Sequence, residues 1–275
     1  MKKENLTTII ALGIVVIILV SGIILVKNAS GVNPPFTVIE SNSMQHSEDK
    51  SQIGIIDTGD MIMVRSFEKS NVVSYVEGYQ TGHQEFGDYG SVLIYKRPVG
   101  NPVIHRAILW MEYDGLKWSA PSLEHFNDSN GNPLWECDSN DYMNITGTLK
   151  LTLNNGYRNI IAEINVTGSG SNYLQLHSGY VTMGDNNGVV DQSASNISLN
   201  NLVNPERIKS VAWKEIPWLG SLKLLANGHT SYLNNYATNS VPCLAALFVT
   251  IILSVVSVGY LFDEFVSKKK KTPTP

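Results

Sequence analysis

Apolar positions dominate two stretches near the ends of the chain and alternate with polar ones between them. Residues 6–26 and 242–262 contain no charged side chain. A helix needs about 20 apolar residues to cross a bilayer, so each stretch predicts one transmembrane helix. The first is longer than the roughly 7–15-residue apolar core of a secretory signal. Lys27 stands where small cleavage-site residues would follow, so a retained anchor is expected. Lys2 and Lys3 precede the first stretch, and Lys268 to Lys271 follow the second. Lysines gather at cytoplasmic ends, which predicts both termini inside the cell membrane and the middle of the chain outside it.

Between the two stretches the period is that of strands. Met61-Ile-Met-Val64, Ser91-Val-Leu-Ile-Tyr95, Val103 to Leu109, Gly147 to Leu153, Asn159 to Val166 and Tyr180 to Met183 are short, rich in β-branched residues and bounded by turn residues. A further strand is expected from Ile208 to Val211. The apolar segment from Ile216 to Ala226, with Trp213 and Trp218 nearby, reads either as a membrane-surface element or as buried core. Tyr113 to about Asn144 is rich in Asp, Asn, Ser and Gly and reads as loop. The predicted fold is mainly β: an antiparallel β domain between N- and C-terminal transmembrane helices. Its organisation is an anchor over 1–27, an extracytoplasmic domain over 28–241 with an insertion at about 113–179, and a second helix with a basic tail over 242–275.

Charge narrows the partners. The chain carries a formal −4; six lysines and three acids near the termini account for +3 of it, leaving −7 for the middle. An acidic domain is a poor nucleic-acid binder, so a lipid bilayer is expected as partner and nucleic acid is not. Cys137 and Cys243 lie in different regions and predict no disulfide framework, and the histidines lack metal-ligand spacing, so no metal or cofactor is expected. Asn127, Asn144, Asn165 and Asn196 each begin an Asn-x-Ser/Thr glycosylation triplet.

Three short segments carry candidate chemistry. The first, just past the N-terminal anchor, is Val38-Ile-Glu-Ser-Asn-Ser-Met44, followed by Gly59-Asp-Met-Ile-Met-Val64. A serine hydroxyl attacks an amide only when a neighbouring group takes its proton. The second segment, Gly90 to Ile108, offers two such groups: Lys96, in Lys96-Arg97, and His105, in Ile104-His105-Arg106. A lysine base must have its pKa lowered by burial. Lys96 instead ends an apolar strand beside Arg97 and turn residues, which favours His105. A histidine base is usually oriented by a carboxylate. The third segment, Gly184-Asp-Asn-Asn-Gly-Val-Val-Asp191, supplies Asp185 and Asp191, although its opening also reads as a tight turn.

These segments, in this order, resemble the signal peptidase I family in its archaeal and endoplasmic-reticulum form. The resemblance covers about residues 39–191 and continues to Ile208-Lys-Ser-Val-Ala212. It implies Ser43 as nucleophile, with Ser41 and the Ser43 backbone N–H binding the oxyanion. It further implies His105 as base and Asp191 as triad acid, with Asp185 supporting the site. The implied activity is serine endopeptidase cleavage of signal peptides from secreted preproteins at the outer membrane surface. Small residues such as alanine would be accepted at the first and third positions before the cut, and the protein-export machinery is a candidate partner. The chain departs from the family pattern after Met44, where the usual proline is missing and the connection from His46 to Ile56 is long. The competing reading is a non-catalytic, membrane-anchored β domain that binds a ligand through its loops.

Overall fold

A computed structural model of the protein describes residues 3–98, 100–154, 159–166, 174–194, 197–198 and 200–271. Among the described residues the strands are β1 (Phe36–Val38), β2 (Met61–Arg65), β3 (Gln84–Glu85), β4 (Asp88–Tyr89), β5 (Val92–Tyr95), β6 (Val103–Tyr113), β7 (Trp118–Ser119), β8 (Trp135–Glu136), β9 (Thr148–Asn154), β10 (Asn159–Asn165), β11 (Gly179–Met183) and β12 (Ile208–Ile216). The helices are α1 (Lys3–Ser30), α2 (Tyr75–Thr81), α3 (Ser221–Ala226), α4 (Thr230–Tyr236) and α5 (Ser240–Lys271).

The main sheet has the order β1-β2-β12-β5-β6-β11, with β7 paired to β6; β10-β9-β8 form a second sheet and β3-β4 a hairpin. Every pairing between these strands is antiparallel. Alternation explains the half-buried strands. In β9, Leu149, Leu151 and Leu153 turn inward while Lys150 and Thr152 stay outside, and in β2, Ile62 and Val64 are the buried positions. The central strand β5 is buried at all four residues, and a continuous apolar run without alternation is the pattern such a position requires.

Two expectations change. The segment after Tyr113, read as loop, carries β7, a 3₁₀ turn over Pro121–His125 and β8. Its widely spaced Trp118, Leu123 and Phe126 enter the core cluster beside Leu151 and Val181, which ties elements too short to show a period. The helix α2 is new. Ser74 accepts from the Glu77 N–H and Glu77 reaches back to the Ser74 N–H, a reciprocal cap, and Gly82 ends the helix with a φ of 77°. In α3, Leu224 is buried in a small apolar cluster with Leu233 and Ala237, whereas Leu222 and Leu225 are exposed.

Among the described residues one stretch, Ser240–Tyr260 of α5, is long and apolar enough to cross a membrane, and almost none of it is buried. The apolar stretch of α1, Val16–Ser30, is shorter; the side chains of residues 3–12 lie outside the described set. The glycosylation triplet at Asn196 and parts of the 113–179 insertion, residues 155–158 and 167–173, also lie outside it.

Candidate active site

The nucleophile segment is pinned between two buried apolar anchors. Ile39 and Met44 are 2% and 1% exposed and belong to one core cluster with Ile62 and Val64. Ile39 also donates its N–H to the Asp60 carbonyl at 3.0 Å and accepts from the Gly59 N–H at 3.0 Å. Between these anchors the chain turns, with Gln45 N–H bonded to the Asn42 carbonyl at 3.1 Å, and leaves Ser41 exposed and Ser43 half-buried.

His105 is the third residue of β6, opposite Leu93 of β5. Its Nε2 lies 3.0 Å from Ser43 Oγ. On the other side of the ring, Nδ1 lies 2.9 Å and 2.8 Å from the two carboxylate oxygens of Asp191. With Asp191 accepting, the Nδ1 position carries the proton and Nε2 is left to accept from the serine. The carboxylate has further support. Tyr95 donates its hydroxyl to Asp191 Oδ2 at 2.5 Å and Thr182 donates to the same oxygen at 2.7 Å. Burial and the adjacent Asp191 push the Tyr95 phenol well above its ordinary pKa, so it remains a donor.

Asp185 has a different address. Its carboxylate takes two bonds from the guanidinium of Arg106, Nε to Oδ1 at 2.8 Å and Nη2 to Oδ2 at 2.6 Å, and Oδ2 also meets His46 Nε2 at 2.9 Å. Arg106, 1% exposed, spends its remaining donor Nη1 on the Glu85 and Gly90 carbonyls at 2.9 Å and 2.8 Å. Burial opposes the charge of Asp185, but Arg106 and His46 hold its carboxyl below the usual range. The two acids of the turn are therefore sorted: Asp191 faces the imidazole, and Asp185 faces the framework around it.

Gly184 lets these parts meet. A Cβ there would sit 2.5 Å from the Ser43 carbonyl oxygen and 2.8 Å from His105 Nε2. Two hydrogen bonds hold the turn against the nucleophile segment, Asn186 N–H to the Ser43 carbonyl at 2.8 Å and Asn186 Nδ2 to the Asn42 carbonyl at 3.0 Å. Ser41 Oγ lies 3.4 Å from Ser43 Oγ, and the Ser43 N–H donates to no acceptor among the described residues. Both are placed where an oxyanion next to Ser43 could be received. Lys96 is exposed at the end of β5, and its ammonium makes no hydrogen bond or ion pair among the described residues.

Ser43 and His105 open into a groove of about 1130 Å³ whose walls include Val38, Val64, Ile94 and Ile104. No three His, Cys, Asp or Glu side chains converge as a metal site among the described residues. Four residues of this arrangement were not singled out from the sequence: Tyr95, Thr182, Arg106 and His46. Arg106 was visible as the residue beside the base. The hydroxyls of Tyr95 and Thr182 were hidden inside strands read as apolar, and His46 sat in polar sequence without a spacing to mark it. No family model, no curated protein and no solved structure matches this chain.

Proposed function

We propose that this chain is a membrane-anchored serine endopeptidase of the signal peptidase I kind, which removes signal peptides from exported preproteins. The observation that carries the reading is the contact of His105 Nε2 with Ser43 Oγ at 3.0 Å, backed by Asp191 on Nδ1. In the proposed reaction Ser43 Oγ attacks the scissile carbonyl carbon while its proton passes to His105 Nε2. The resulting imidazolium, stabilised by Asp191, protonates the leaving amine. A water molecule then attacks the acyl-enzyme, losing its proton to His105, and Ser43 recovers its own as the acyl group leaves. Oxyanion charge falls to the Ser43 N–H and the Ser41 hydroxyl.

An extended peptide is supported by the origin of the cleft's apolar wall, since Val38, Val64, Ile94 and Ile104 come from strands β1, β2, β5 and β6 of the main sheet. The apolar stretch of α5 supports anchoring in a lipid bilayer. In this reading both termini are cytoplasmic, the β domain works at the outer surface where leaders emerge, and the export machinery is its neighbour. The test is cleavage of a preprotein by the full chain in detergent. Wild type should release the leader. Ser43→Ala and His105→Ala should each lower kcat by about a thousandfold or more, as removal of a triad member does elsewhere. Undiminished cleavage by either variant would remove the triad, and no cleavage by the wild type would leave the loop-binding reading.

A further inference from the structure

Each triad residue has a close neighbour in a second cluster. His46 follows Ser43 by three residues, Arg106 follows His105 by one, and Asp185 precedes Asp191 by six. The three meet at Asp185, within 2.9 Å of His46 Nε2 and 2.6 Å of Arg106 Nη2, with side-chain exposures of 8% for His46, 2% for Asp185 and 1% for Arg106. The cluster thus joins the nucleophile segment, the base strand and the acid turn at one buried carboxylate. The strand and the turn have other ties, because β6 pairs with β11, which leads directly into the turn. The nucleophile segment is tied to the turn by the Asn186 backbone N–H at the Ser43 carbonyl and by side chains on either side of it. Asn186 holds it on the near side of Ser43, and His46 returns it to the same turn on the far side. Gly87 leaves the ring its room, since a Cβ there would stand 3.1 Å from His46 Cε1.

We propose that His46 is a positioning residue for Ser43, acting through its Nε2–H to Asp185 to hold the nucleophile segment in register with His105. This rests on the serine-protease reading, because the distance it sets is the one between Ser43 Oγ and His105 Nε2. Small displacements matter there: an error of about 1 Å in a reacting group costs on the order of a hundredfold in rate.

The side-chain requirement is specific. A donor is needed at the Nε2 position, and the glutamine amide nitrogen reaches that place whereas the asparagine amide falls short of it. Both amides are neutral and polar, so the pair separates reach from polarity. The experiment uses the full chain in detergent as wild type, His46→Asn and His46→Gln. It measures Ser43 labelling by a fluorophosphonate probe, with Ser43→Ala as the blank, together with kcat, KM and the thermal midpoint. His46→Asn should slow labelling and lower kcat by about tenfold with KM changed less than about twofold, and His46→Gln should recover to within about threefold of wild type. Asparagine labelling as fast as wild type, or glutamine as slow as asparagine, overturns the proposal. So does a loss of kcat that tracks the thermal midpoint across the variants, since that is the mark of a merely structural residue. A wild-type chain that neither labels nor cleaves is a separate result: it sinks the triad reading and takes this proposal with it.

Discussion

Asp185 and Asp191 are 4% and 0% exposed, and Asp57 and Asp60, both in the turn before β2, are 0% exposed. Equal burial leads to unlike outcomes. Asp185 keeps its charge because Arg106 and His46 meet it, and its carboxyl lies below the usual range despite the cost of desolvation. Among the described residues Asp60 is met by backbone donors, the Asp57 and Trp218 N–H groups, each at 2.8 Å. Burial, helped by the negative charges of Glu215 and Asp57, therefore pushes Asp60 up to about 8. Asp57 rises to about 6 and Glu215 to about 7, in both cases chiefly through burial. Burial alone does not set the charge of an interior acid; what it is buried against does.

The two regions also respond to pH with opposite sign. A depressed acid such as Asp185 contributes stability that is present above its unfolded pKa and is lost as pH falls through the folded one. Raised acids such as Asp60 and Glu215 contribute stability that is full below their unfolded values and is lost as pH rises through about 7 to 8. Acid weakens the Asp185–Arg106 framework beside the proposed triad, and alkali weakens the turn that introduces β2.

The contrast is broken most severely by taking away the cation. Arg106→Met leaves Asp185 buried against His46 alone and should cost about 3–5 kcal/mol in denaturant unfolding, while Arg106→Met combined with Asp185→Leu should regain much of that. If the single change costs no more than the double, the ion pair is not what holds Asp185 charged. A smaller effect sharpens the other side. Glu215 accepts from the Gly54 N–H at 2.6 Å through Oε2, and its Oε1 has no partner among the described residues. Glu215→Gln keeps that acceptor and removes the charge. It should be near neutral at pH 5 and stabilising by about 1 kcal/mol at pH 8, a figure reduced for solvent screening at this half-exposed site. A melting-temperature series across that range gives the slope, and a gain that does not grow with pH refutes the assignment. The smallest effect belongs to Lys96, an exposed cation with no buried acid to serve. Lys96→Ala should leave kcat for preprotein within about twofold of wild type, and a large fall would make it the base in place of His105.

Much of the sheet was legible because half-buried strands write their orientation as alternation. The expected segments beginning at Met61, Val103 and Asn159 start where β2, β6 and β10 do, and only the ends differ. The strand expected to stop at Val211 runs on to Ile216, because beyond a bulge at Trp213 the residues Lys214, Glu215 and Ile216 pair with Met63, Ile62 and Met61 of β2. The helix α2 was not legible, because its seven residues are too few to show a helical period. At the site, chain order suggested which residue types could meet. It left Asp185 and Asp191 as rivals because both belong to one turn, and which way a turn aims its carboxylates depends on contacts from β5, β6 and β11 that lie far off in sequence. Tyr95, Thr182 and His46 matter for the same non-local reason.

Gly184 fixes how this turn can change over time. Its φ is not in the left-handed region, so the demand is for empty space, and every other amino acid would fill that space with an atom lodged between Ser43 and His105. Four and five positions along, Gly188 has open space around it and Val189 is 57% exposed. Mutational drift in the loop is thus confined to its outer bend: substitutions can accumulate there without touching the contact of Ser43 with His105, while the entry point admits none.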